Sequence, residues 1–204
     1  MGGARSNPYR MGECQANMRK KYNNLAWRIS PVPRCRSAEN GRWTSAIEKR
    51  AKSMDRSQLQ GALESAKTTL KGLGKTCIVS ADDIEAWFKA DTPYPDITLD
   101  QVLLNRWLVI HEVVEIEAIK RMGLKIAKDT ILKNPGLVDE AHFEAAAVEL
   151  DAAIASRDSS HLKDRIKDIS RWIENPGVLP EMKRKYSKLR EGTERALMKI
   201  QNEE

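Results

Sequence analysis

Cysteine is scarce in this chain of 204 residues: Cys14, Cys35 and Cys77 are the only three, and no two stand in a C-x-x-C spacing. An odd, scattered set of thiols does not build a disulfide framework, so a reducing, cytoplasmic setting is expected. Long apolar runs are also missing. None approaches the roughly 18 residues that cross a bilayer, which excludes an integral membrane protein, and no apolar core of a secretory signal is present. Aromatic residues are few, at 5%, yet apolar residues at 41% suffice for a packed core and exclude wholesale disorder. Histidine occurs three times, at His111, His142 and His161.

The net charge of +6 is unevenly spread. Residues 1–43 hold nine Lys/Arg against two Glu, a net +7, which leaves 26 basic and 27 acidic groups, a net −1, for residues 44–204. The first segment mixes Gly, Pro, Asn and Ser with no sustained apolar period and reads as an extended basic arm. Arg19, Lys20 and Lys21, followed by Tyr22 and Trp27, are suited to gripping phosphates while a ring stacks on a base. The plainer alternative is a solvated arm with Trp27 and Trp43 tucked against the body. An organellar transit peptide agrees with the Arg bias but not with Glu13, Glu39 and the prolines.

From residue 44 onward the signals are helical, and a single all-α bundle of six or seven helices is predicted. Ser45-x-x-Glu48 and Ser57-x-x-Gln60 are capping boxes, and Leu59, Leu63, Ala66 and Leu70 follow a helical period stopped by Gly72 and Gly74. Ser80 caps a short helix through Lys89. Thr98-x-x-Gln101 opens a long helix that runs to Met122, with Gly123 as its stop. A short helical stretch near 124–133 follows, then helices near 138–156, 160–174 and 180–200, with Ser160 as a cap and Pro180 in a first-turn position. Thr76–Val79 is the only strand candidate. Asn134-Pro135-Gly136 recurs as Asn175-Pro176-Gly177, read as one helix stop, Asn in a left-handed turn and then Pro, used twice.

Helix 98–122 is apolar on nearly every side and belongs in the middle of the bundle. It carries His111-Glu112-Val113-Val114-Glu115. Glu115 lies about 40° from His111 around the helix and shares its face with Leu104, Leu108, Ala118 and Met122. A carboxylate in such a stripe needs a compensating partner. On the next long helix His142 and Glu149 stand two turns apart, near small residues that let another helix approach. His111, Glu115, His142 and Glu149 thus form an expected ligand set for Zn, Fe or Mn. Glu112, about 100° from His111, suits a general base acting on metal-bound water. Asp139 and Asp151 are weaker candidates for orienting an imidazole.

His111-Glu112-x-x-Glu115 resembles the H-E-x-x-H helix of zinc peptidases, with Glu115 in place of the second His. The His/Glu mixture is similar to that of carboxylate-bridged dimetal bundles, without their Glu-x-x-His spacing. Glu112-x-x-Glu115 also resembles the first half of the Mg-binding pattern of all-α nucleoside triphosphate pyrophosphohydrolases, whereas Glu149-Leu150-Asp151 lacks the spacing of the second half. None of these resemblances covers more than one helix; if the metal site is catalytic, metal-dependent hydrolysis is the expected class.

Against the metal stands a pair of metal-free hydrogen bonds, His111 with Glu149 and His142 with Glu115. His161, among Lys163, Asp164 and Arg165, reads as an exposed first-turn residue. Lys183, Arg184 and Lys185 lie on an amphipathic helix whose basic face, with the arm, offers an alternative function in nucleic-acid binding. The same helix offers the seam of a homodimer, and a purely structural oligomer is the remaining reading.

Overall fold

In a computed structural model, residues 56–92 and 97–203 are described. The basic arm with Arg19, Lys20 and Lys21, the Ser45-x-x-Glu48 box and the boundary at residue 44 lie outside these residues. The described chain is all-α, without strands, and Thr76–Val79 is irregular. Its helices are α1 (Arg56–Gly72), α2 (Ala81–Phe88), α3 (Leu99–Leu103), α4 (Arg106–Arg121), α5 (Thr130–Lys133), α6 (Pro135–Ala155), α7 (Ser159–Glu174) and α8 (Pro180–Asn202).

The helix ends follow local chemistry. Ser80 and Asp83 form a reciprocal capping box on α2, and Thr98 and Gln101 form one on α3. Ser57 does not cap α1, because Arg56 is already helical. α1 and α4 close on Gly74 (φ 72°) and Gly123 (φ 81°). In each case the next amide reaches back five residues, Lys75 to Leu70 and Leu124 to Ile119, the paired closure that glycine in a left-handed turn permits. The two Asn-Pro-Gly turns differ from expectation. Asn134 (φ −128°) precedes α6 and Asn175 (φ −65°) follows α7, so neither is left-handed. α6 begins at Pro135, whose missing N–H is harmless there.

The predicted long helix 98–122 is two helices. Asn105 breaks it by accepting a hydrogen bond from the Trp107 amide at 2.9 Å, so it serves as the N-cap of α4. Leu104, expected on the face of His111, is instead 89% exposed at the break.

α4 is the axis of the molecule. It packs chiefly on α6, and also on α1, α2 and α3, while α7 and α8 pair as a hairpin that covers α6. Ten of its sixteen residues are buried, including Val113, Ile116 and Ile119. α6 contributes Ala141, Ala145, Ala146, Ala152 and Ala153, all buried, so two backbones approach closely along this stripe. Lys120 donates to Asp83 at 2.8 Å and joins α4 to α2. This placement takes the His/Glu segment of α4 out of water on nearly all sides.

Candidate metal centre

His111 and Glu115, one turn apart on α4, are 3% and 6% exposed, and Glu112 beside them is half-buried. One ligand atom from each of the three lies within 4.8 Å of the others, so this group could hold a metal ion. His111 Nε2 is 3.8 Å from a Glu115 carboxylate oxygen, beyond hydrogen-bond length. That is the one polar contact of Glu115 among the described residues. Burial, with the charges of Glu112 and Asp139, pushes the Glu115 carboxyl well above its ordinary value. Burial pushes Glu112 up as well, opposed by His111, Arg165 and a hydrogen bond from Trp87.

The other edge of the His111 ring meets a contrasting environment. Nδ1 is 2.8 Å from Oε2 of Glu149, a residue of α6 that is fully buried. Arg165 Nη2 donates to the same oxygen at 2.5 Å, and His161 Nε2 lies 2.6 Å from the other. Burial alone would raise the Glu149 carboxyl, but the Arg165 charge and the bonds from His111 and His161 hold it well below the usual range. Arg165 is in turn 3.4 Å from Asp168, which takes a second bond from Arg171 at 3.0 Å. Glu149 is therefore ionised and saturated, whereas Glu115 has no hydrogen-bond partner among the described residues.

His142 lies against this cluster. Its ring centroid is 4.7 Å from that of His111 and 5.0 Å from Trp172, and its Nδ1 is 2.9 Å from the Tyr186 hydroxyl. Burial pushes His142 well below its ordinary value, so it is neutral. Burial likewise pushes the Tyr186 phenol up. Asp139, on the same helix, is raised to about 6 by burial and by Glu140. Asp151 is exposed.

Of the four expected ligands, His111 and Glu115 join Glu112 in the group that could hold a metal, whereas His142 and Glu149 lie outside it. Glu115 faces Nε2 of His111, Glu149 faces Nδ1, and His142 turns its Nδ1 to Tyr186. Of the two metal-free pairs considered, His111 with Glu149 forms and His142 with Glu115 does not. Sequence reasoning missed His161 and Arg165. His161 is 9% exposed, not a surface residue, and α7 is capped by Asp158 instead of Ser160. Asp158 accepts from the His161 amide at 3.0 Å and from the Trp107 indole at 2.8 Å, which fixes the start of α7 against α4. The available signal was the spacing His161, Arg165, Asp168, Trp172, one face of a helix.

On α8, Lys185 is bound by Glu140 at 2.5 Å. Lys183 is half-buried and Arg184 exposed. No described helix is long and apolar enough to cross a membrane. No family model, no curated protein and no solved structure matches the chain.

Proposed function

We propose that the protein binds a divalent cation in the core of its helical bundle, held by His111 Nε2, Glu112 and Glu115. The observation that carries this reading is Glu115: a buried carboxylate with no hydrogen bond among the described residues, beside a second raised carboxylate and a ring nitrogen. A buried ionised carboxylate without a partner is too costly to persist, so the site calls for a bound proton or a cation. The converging imidazole nitrogen favours the cation, and mixed imidazole and carboxylate donors suit Zn, Fe or Mn.

Three protein ligands leave coordination positions for water. A cation there would lower the pKa of bound water toward about 7, which supports metal-dependent hydrolysis as the activity class. Glu112 is the ligand nearest solvent, and we assign it the role of accepting the proton of that water.

Metal analysis of protein purified without chelators tests the reading. The expected result is near-stoichiometric Zn, Fe or Mn in the wild type, lost in His111→Ala and Glu115→Gln. Wild-type protein that stays empty after reconstitution with each of these ions would overturn it.

A further inference from the structure

We infer that Glu149 is a positioning residue: it fixes His111 as the tautomer protonated on Nδ1 and so leaves the Nε2 lone pair on the side of Glu115. Arg165 and His161 in turn hold Glu149 in place. This inference rests on the metal-site reading for the use made of Nε2, but not for the tautomer itself.

Both Glu149 oxygens are engaged by neighbours fixed on other helices. Oε2 meets His111 Nδ1 of α4 at 2.8 Å and Arg165 of α7 at 2.5 Å, while Oε1 meets His161 of α7 at 2.6 Å. A carboxylate beside a guanidinium is ionised and only accepts, so the His111 contact needs its proton on the ring nitrogen. Arg165 Nη2 also lies 3.3 Å from Nδ1, but its short bond is to Glu149, which leaves Nδ1 to donate. A neutral imidazole with Nδ1–H carries its lone pair on Nε2, the atom 3.8 Å from Glu115. A carboxylate behind a ligating imidazole orients the ring and raises its basicity.

The arrangement also explains why Glu149 does not itself serve as a ligand. A cation at Glu149 would have to displace Arg165, and the two positive charges would repel. His161 adds rigidity, since Asp158 caps its helix and its ring lies 5.7 Å from that of Trp107.

Two measurements on the full chain test this. NMR of the imidazole nitrogens of metal-free wild type is expected to place the His111 proton on Nδ1; a proton on Nε2 would overturn the inference. Titration with Zn2+ or Mn2+ is expected to show affinity lowered about 10–100-fold in Glu149→Gln, with His161→Asn between it and wild type. A folded Glu149→Gln that binds as tightly as wild type would also overturn it. If Glu149→Gln does not fold, His161→Asn and the wild-type spectrum decide. A wild type that binds neither ion but keeps the proton on Nδ1 would overturn the metal reading alone and leave Glu149 as the group that sets the tautomer.

Discussion

Two glutamates a few ångströms from the same imidazole titrate in opposite directions, and the cause is their partners. Glu149 has Arg165 and two histidines; Glu115 has burial and two like charges. The linkage to stability follows in sign. Glu115 in the folded protein holds its proton above the ordinary 4.5, so its contribution is complete below that pH and is lost as pH rises through the folded value. Glu149 contributes above 4.5 and its share is lost as pH falls through its lowered value. Metal-free wild type should therefore lose stability relative to Glu115→Gln as pH rises from the ordinary 4.5 toward the raised folded value, by at most about 1.4 kcal/mol per pH unit. Denaturant unfolding across that range checks it, and parallel curves would contradict it. Arg165→Met should cost about 3–5 kcal/mol, because it strands the Glu149 charge in the core. Lys167→Ala, which removes only an exposed pair with Asp164, should cost under about 1 kcal/mol in the same unfolding measurement. The His/Glu face of α4 was legible because it interrupts an apolar stripe. His161 and Arg165 were not, since charged residues beside Leu162 and Ile166 usually mark a solvated flank. Glu149, on another helix, makes their burial favourable, with Asp168 as a further partner of Arg165.

At the scale of the element, capping residues decide where α4 and α7 begin, and both starts bear on the centre. The sequence has no proline or glycine between Thr98 and Met122, so periodicity alone joins α3 to α4. Asn105 separates them because a side-chain acceptor competes locally for the Trp107 amide, a competition that apolar spacing does not register. The capping boxes at Ser80 and Thr98 were legible because both of their members lie within one turn. The cap at Asp158 was not, because Ser159 and Ser160 offer equivalent chemistry and the choice depends on Trp107, distant in sequence. Asp158→Ala should cost about 1–2 kcal/mol through the lost cap, and it also frees the Trp107 indole. Because His161 is fixed by the same turn, the variant is expected to weaken cation binding where Ser160→Ala does not. Metal titration of the two variants side by side measures the difference, and equal affinities would show that the cap does not reach the centre.

For the whole molecule, the bundle sets the environment that a single helix cannot. α4 is buried by α1, α6 and the flanking helices, and the alanines of α6 bring its His142 and Glu149 against His111. An all-α fold with α4 at its centre was legible from apolar spacing and stop signals. The pairing of ring edges was not, because it depends on rotation of α4 against α6 and on α7 closing over both. A cation that binds only the folded bundle should therefore stabilise the whole cooperative unit. At a free concentration about 100 times Kd the gain is about 2.7 kcal/mol, which for a chain of this length corresponds to a Tm rise on the order of 5–10 °C. Thermal unfolding with and without Zn2+ or Mn2+ is expected to show that rise in wild type and none in Glu115→Gln. The rise should also be larger at neutral pH than near pH 5, because protons and the cation compete for Glu115, and a pH-independent rise would place the ion elsewhere on the protein.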